Sequence, residues 1–358
     1  MSLPNSAAGQ WIEPADRAPP SRAAVHQTGP VRRGAGLKPK VLVTALSFGQ
    51  TSPEPVVMLE KAGCEIVRNT LGRPMTEDEL VDAVGGVAGI VNGNDRITRR
   101  VIEAGRDLRV IAKNGVGVDN IDVQAATERG IVVTNTPGSN SDSVADLTFG
   151  LMLALARQIP AADRTTRAGE WKRFIGTEVW GKTIGIVGLG RIGKGVAVRA
   201  RGFNMNILAY EVVPDRSFAA EHGVSFVSLD ELLSRADFIT LNVPLLPETE
   251  RLINARTLSL VKPTAFLVNT ARGEVVDEEA LFEALRDKRL AGAAVDAFLK
   301  EPPGKSPLFD LPNVIVTPHM GAHTGEAAHK VGLMAAGGIV DVLAGRRPKH
   351  VVNPAVYS

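Results

Sequence analysis

Four stretches of this 358-residue sequence hold side chains whose types and spacing suit chemistry. The longest is Lys182 to Glu211, KTIGIVGLGRIGKGVAVRARGFNMNILAYE. An apolar run (Thr183–Val187) leads into Gly188, Gly190 and Gly193 in GxGxxG spacing. A helical pattern follows from Arg191 to about Ala200, and a second apolar run ends at Glu211. In dinucleotide binding Gly188 permits the strand-to-helix turn, Gly190 lets a pyrophosphate approach the backbone, and Gly193 lets helix and strand pack closely. The helix N-terminus presents unpaired N–H groups and a positive dipole end to phosphate. Glu211, 18 residues beyond Gly193, can accept hydrogen bonds from both adenosine ribose hydroxyls and would repel a 2′-phosphate, so NAD is expected over NADP.

The other three stretches follow strand-like runs, so they belong at the edge of a parallel sheet where ligands bind. In Asn269-Thr270-Ala271-Arg272-Gly273, the Arg272 guanidinium is a permanently charged planar fork that suits a carboxylate. Spacing alone equally allows an ordinary loop arginine. In Asp296 to Pro303, Asp296 could hold a nicotinamide carboxamide. Glu301 precedes two prolines that stiffen its loop, although an exposed acid before a proline turn reads the same way. In Thr317-Pro318-His319-Met320-Gly321-Ala322-His323-Thr324, His319 could exchange a proton with an oxygen that gains or loses hydride at its carbon. Contact with Glu301 would favour its imidazolium and fix its tautomer. His323 is the rival for that task.

The elements that must position these groups alternate strand and helix. Strand-like runs over 40–44, 64–68, 89–92, 109–113 and 131–135 are separated by helix-like segments, one opened by a Thr76/Glu79 capping box. A second series begins at Lys182, with later strands near 224–227, 238–243, 265–269, 292–296 and 314–317. The pattern predicts an α/β protein of two doubly wound, Rossmann-like domains with a cleft between them. The first series lacks a GxGxxG and is left to hold substrate. A helix apolar nearly all round spans 141–158, and a final helix over about 325–343 could cross back to the first domain. Residues 1–37, rich in Pro, Gly, Ser and Ala, read as a flexible extension, with Trp11 and Ile12 as a minor docking possibility.

The formal net charge of +2 gives no bulk field for nucleic acid or a membrane surface, and neither partner is expected. Apolar runs are short for a bilayer, and no compact signal-peptide core stands at the N-terminus, so a cytoplasmic location is expected. Cys64 is the only cysteine, which excludes an internal disulfide; no metal is expected.

GLGRIG, NTARG, DAFLKEPP and TPHMGAHT, in this order and spacing, resemble the NAD-dependent D-isomer specific 2-hydroxyacid dehydrogenases, most closely their phosphoglycerate-oxidising branch. KNGVGVDNID, from Lys113, is similar to the family's substrate-domain signature. The likeness covers about Lys40 to Pro354. It implies a substrate domain of 38–138 with 325–358 (flavodoxin-like and discontinuous), an inserted NAD domain of 139–324, hinges near 137–141 and 321–324, and a homodimer. It implies that Arg272 binds the substrate carboxylate, that His319 is the general acid/base, and that Glu301 pairs with it. Arg191 and Ile192 would contact the pyrophosphate through their backbone. Val116, Val243, Pro244, Asn269, Thr270, Ala271, Asp296, Met320, Gly321 and Ala322 would line the cofactor. Asn114, Gly115 and Val116 would offer backbone N–H groups to the substrate.

The sequence also departs from that branch. Asn92-Gly93 stands where an Arg-Ser pair grips an anionic substrate, Lys113 where Arg is frequent, and Val116 and Val243 where threonines are common. The chain ends at Ser358, so the C-terminal serine-sensing domains of longer members are not expected. The resemblance implies oxidation of D-3-phosphoglycerate first and reduction of glyoxylate or hydroxypyruvate as the alternative. An NAD-sensing, corepressor-like binding protein is the reading from another class.

Overall fold

The computed structural model describes residues 38–358; the expected flexible extension, with Trp11 and Ile12, lies outside them. The strands of the first half are β1 (Lys40–Val43), β2 (Glu65–Arg68), β3 (Val87–Asn92), β4 (Val110–Lys113) and β5 (Val132–Thr134). Between them run α1 (Glu54–Lys61), α2 (Glu77–Ala83), α3 (Arg99–Ala104) and α4 (Val123–Glu128). Then come α5 (Ser141–Ala156) and α6 (Ile159–Arg167). The second half holds β6 (Thr183–Val187), α7 (Arg191–Gly202), β7 (Asn206–Tyr210), α8 (Arg216–His222), β8 (Val224–Phe226), α9 (Leu229–Arg235) and β9 (Phe238–Leu241). It continues through α10 (Ala255–Leu258), β10 (Phe266–Asn269), α11 (Glu278–Arg286), β11 (Gly292–Val295), β12 (Val314–Val316) and α12 (Gly325–Leu343).

Among the described residues two sheets form, of five strands in the order β2-β1-β3-β4-β5 and of seven in the order β12-β11-β10-β9-β6-β7-β8. Every ladder within them is parallel. The sequence explains this: β3, β4, β9, β10 and β11 are continuous apolar or small-residue runs, which suit strands covered on both faces. Both strand orders are doubly wound, and each reverses direction beside its first strand, at β1/β3 and at β6/β9. Ligands bind in the crevice at such a switch point, outside the carboxyl ends of the strands.

Helix ends are set locally. Thr76 and Glu79 form the expected reciprocal capping box of α2. Asp122, Asp215, Ser228 and Asp277 cap α4, α8, α9 and α11 through their side chains. Helix α5 buries Val144, Ala145, Phe149, Met152 and Leu155 against the second sheet and α7. Among the described residues no single helix is long and apolar enough to cross a membrane.

After β12 the chain returns, and α12 lies on β3, β4 and α1 of the first sheet. Small residues make that approach possible. A Cβ on Gly332 would sit 2.7 Å from Pro55 Cγ, and one on Gly338 2.7 Å from Thr134 Oγ1. Asn353 closes the tail by accepting from the Val133 N–H at 2.8 Å. A Gly338→Val substitution overpacks this contact and is expected to cost about 1–3 kcal/mol, read as a lower urea midpoint with an unchanged slope.

Candidate active site

All strands of each sheet run the same way, so the chemical motifs collect at one edge. Gly188 has φ +92°, and a Cβ there would lie 2.8 Å from the Asn242 carbonyl oxygen, across the β6/β9 switch point. A Cβ on Gly193 would lie 2.1 Å from the Gly188 carbonyl oxygen. Only glycine fits both positions. Gly190 differs: a Cβ there would meet nothing within 4 Å, and this residue starts α7 with no side-chain cap. The first turn of α7 therefore opens on free space with its N–H groups uncapped, which fits a pyrophosphate. Val243 leans over Gly188, and Pro244 is exposed beyond it. Glu211 follows β7 with its carboxylate turned to the same loop, accepting from Leu189 N–H at 2.7 Å and Val212 N–H at 2.8 Å. These residues fit a dinucleotide. Arg191 and Ile192 occupy the first turn of α7, as the glycine motif requires.

Asp296 follows β11 and is 1% exposed. Its Oδ1 accepts from Thr317 Oγ1 at 2.6 Å and Met320 N–H at 2.8 Å, and its Oδ2 from Gly321 N–H at 3.0 Å. The carboxylate thus staples the turn after β12. Inside that turn His319 holds φ +52°, a left-handed conformation that costs a non-glycine residue energy and persists only when its surroundings enforce it.

The turn delivers His319 to Glu301. Nδ1 lies 2.8 and 2.7 Å from the two carboxylate oxygens. A carboxylate only accepts, so Nδ1 carries hydrogen and Nε2 is left to exchange a proton. Glu301 Oε1 also accepts from Phe298 N–H at 3.1 Å. Burial pushes the Glu301 carboxyl up, but the hydrogen bond and charge of His319, the Phe298 N–H and the Arg272 charge outweigh it, so its pKa falls below the usual carboxylate range. His323, the rival, is exposed and pairs with no carboxylate among the described residues.

Asn269, at the end of β10, shapes the next loop from within: its amide donates to the Arg272 carbonyl at 2.9 Å and accepts from Ala271 N–H at 3.0 Å. Thr270 meets Thr148 at 2.9 Å. A Cβ on Gly273 would lie 2.0 Å from the Phe298 backbone, so this glycine seats the Arg272 loop against the segment that leads to Glu301. Arg272 donates to Ala271 O at 2.8 Å and, across to the first half, to Asp119 Oδ1 from Nε at 3.3 Å and Nη2 at 3.2 Å. Asp119 lies inside KNGVGVDNID, and nothing in that stretch of sequence singles it out as a partner of Arg272.

One expectation is corrected. The Asn114 N–H does not face the cleft; it donates to Asn92 O at 2.8 Å, continuing the β3–β4 ladder by one residue. Gly115 and Val116 keep N–H groups without a protein acceptor among the described residues, and Val116 is 38% exposed. The Asn114 side chain donates to Ser47 at 3.3 Å, and its Oδ1 is buried without a partner.

These geometries have counterparts. The sequence profile of the "D-isomer specific 2-hydroxyacid dehydrogenase, NAD binding domain" matches residues 149–321. The chain is 48% identical over 283 residues to the D-3-phosphoglycerate dehydrogenase of Methanocaldococcus jannaschii, covering 78% of this chain and 54% of that protein. It is 41% identical over 330 residues to the glyoxylate reductase of Pyrococcus furiosus, covering 89% of this chain and 97% of that one. The crystal structure of the D-lactate dehydrogenase from Aquifex aeolicus complexed with NAD and lactic acid superposes with a TM-score of 0.77 at 28% identity, over 87% of this chain and 99% of that one. The chain belongs to the D-isomer specific 2-hydroxyacid dehydrogenase family. It spans about half the length of the phosphoglycerate dehydrogenases it matches.

Lys113 offers a test of the cleft's electrostatics. Its ammonium is buried and donates to Gly93 O at 2.6 Å and Asn120 Oδ1 at 2.9 Å. Burial, helped by the Arg272 charge and opposed by Asp119 and Asp95, lowers its pKa to about 8. Between that value and the ordinary lysine pKa the unfolded chain binds more protons, so stability rises with pH across this window. The unfolding midpoint of the wild type is expected to rise relative to that of Lys113→Met between about pH 8 and 10, measured by thermal melts in parallel buffers; parallel curves would refute it.

Proposed function

We propose that this chain is an NAD-dependent dehydrogenase interconverting a D-2-hydroxy acid and its 2-oxo acid. The observation that carries the reading is the His319–Glu301 pair at 2.7 Å, held beside Arg272 at the strand edge that also bears the glycine loop. Bound NAD supplies the hydride acceptor, and NADH the donor. In oxidation, His319 Nε2 takes the hydroxyl proton; in reduction, it returns a proton to the carbonyl oxygen. Glu301 keeps Nδ1 protonated and stabilises the imidazolium formed after proton uptake. Its pKa is depressed, so that support is in place at neutral pH and is lost as pH falls through the lowered value. Arg272 holds the carboxylate and polarises the reacting oxygen, joined by the Gly115 and Val116 N–H groups. Residues 38–138 with 325–358 form the substrate side, residues 139–324 the cofactor side, and closure between them excludes water.

D-3-phosphoglycerate is the first substrate, on the strength of the likeness to phosphoglycerate dehydrogenases. Reduction of glyoxylate or hydroxypyruvate is the second reading, and a specific observation favours it. Asn92, where an arginine would grip the anion, is fully buried and donates to Asp95 O at 3.0 Å, and the Lys113 ammonium is engaged inside the protein. The chain pairs with a second copy through the segment after α5, which exposes Trp171, Ile175 and Trp180 by 85, 94 and 64%.

The test is NADH oxidation with glyoxylate, hydroxypyruvate and phosphohydroxypyruvate in parallel, repeated with His319→Ala. One acid is expected to be turned over best, and the variant to lose about 10²–10⁴-fold in kcat. NADH binding without turnover of any acid would instead support the cofactor-sensing reading.

A further inference from the structure

The contact that joins the two halves of the site is the Asp119–Arg272 pair. Asp119 lies in the loop between β4 and α4, Arg272 in the loop after β10, 153 residues away. A single oxygen, Asp119 Oδ1, accepts from Nε and Nη2, and Ala271 O accepts from Nη1. A guanidinium carries five N–H donors. Three are used, so two remain, one on each terminal nitrogen. An end-on fork needs one N–H from each terminal nitrogen, and that edge grips a carboxylate with two parallel hydrogen bonds.

The first-half loop is built for this approach. A Cβ on Gly117 would stand 2.0 Å from Arg272 Nη2 and 2.7 Å from Asp119 Oδ1, so any side chain at 117 would displace the guanidinium. Beside it, Asn120 is held by Lys113 Nζ at 2.9 Å and donates to Asp95 O at 2.7 Å, which fixes the loop behind Asp119. Asp119 is therefore an acceptor mounted on a braced loop, and it leaves Arg272 one usable edge.

We propose that Asp119 is a positioning residue: its Oδ1 clamps the side edge of the Arg272 guanidinium from across the cleft and leaves the Nη1/Nη2 edge for the substrate carboxylate. This rests on the reading of Arg272 as the carboxylate anchor. It couples closure to binding, because Arg272 has its working orientation only while the 114–120 loop is against it. The pair is partly exposed, at 28% for Arg272 and 47% for Asp119, so its effect belongs to orientation more than to stability.

The experiment compares the wild type with Asp119→Ala, Asp119→Asn, Arg272→Ala and the Asp119→Ala/Arg272→Ala double variant. Two readouts are taken: KM for the preferred 2-oxo acid and for NADH, and binding of oxamate, an unreactive carboxylate, to the NADH-loaded protein by calorimetry. Asp119→Ala is expected to raise the oxo-acid KM and weaken oxamate by on the order of tenfold, with the NADH KM and the melting temperature unchanged. Asp119→Asn, which keeps an acceptor oxygen, recovers part of the loss. Asp119→Ala adds nothing on the Arg272→Ala background. An unchanged or lower oxo-acid KM in Asp119→Ala would overturn the proposal, the lower value marking Asp119 as a competitor for the substrate's place. An undiminished penalty without Arg272 would overturn it too. If no acid is turned over but oxamate binds the wild type and loses affinity in Asp119→Ala, the dehydrogenase reading fails and the positioning role stands. If no acid is turned over and oxamate does not bind the wild type, both fall.

Discussion

The buried carboxylate of Asp296 is the interaction on which the site depends. A carboxylate removed from water is costly unless its oxygens find donors. Here they find Thr317, Met320 and Gly321, all in the turn that follows the neighbouring strand. Those bonds hold His319 in a left-handed conformation between them, with its ring set against Glu301. Take away the staple and His319 relaxes toward the ordinary backbone regions, which re-aims its imidazole. The parallel topology is the deeper condition. Asp296 and Thr317 follow strands paired side by side in the same direction, Ala293 opposite Val314 and Val295 opposite Val316. An antiparallel partner would place them at opposite ends of the sheet.

Much of this was legible in the chain. The glycine spacing with its preceding strand, following helix and distal acid marked one switch point, because each glycine answers a separate steric demand. The alternation of buried runs and helices gave both sheets. Helix α8 is short and buries only Ala219, so Arg216–His222 leaves no apolar stripe from which its bounds can be read. Helix α6 buries none of its residues and is hidden for the same reason. Among the site residues, Glu301 and His319 are 18 apart in sequence, yet nothing in their spacing shows contact; only the turn geometry does. Asp119 was hidden more thoroughly. Its partner lies on another sheet, and an Asp in a glycine-rich loop looks like any turn residue. Asn114 misled in the opposite way: whether an N–H is free depends on where a ladder ends, and that is a property of the paired strand Asn92, not of Asn114.

Charge across the cleft has an order of its own. Going from the first sheet to the second, Lys113 is followed by Asp119, Arg272, Glu301 and His319, so basic and acidic groups alternate. The shifts along the row agree with this. Asp119 is pushed up by burial but lowered on balance, chiefly by Arg272 and with help from Lys113; Glu301 responds in the same way to His319 and Arg272. Lys113 is lowered by its burial and by Arg272. Each carboxylate thus sits between two basic groups, and Arg272 sits between two carboxylates.

That arrangement decides what Arg272 can do for an incoming anion. A guanidinium flanked by two acids already has much of its charge compensated, so net charge alone gives a modest attraction for a substrate carboxylate. What remains specific is direction: two N–H groups left unengaged on one edge, in the fork geometry that matches a carboxylate. The neighbouring acids therefore trade general attraction for orientation. An orientation set by a residue from the opposite half of the cleft exists only when the halves are together. Under the roles proposed for them, proton exchange at His319 and carboxylate capture at Arg272 would become ready at the same moment, in a closed state where fixed dipoles and charges act with the least screening.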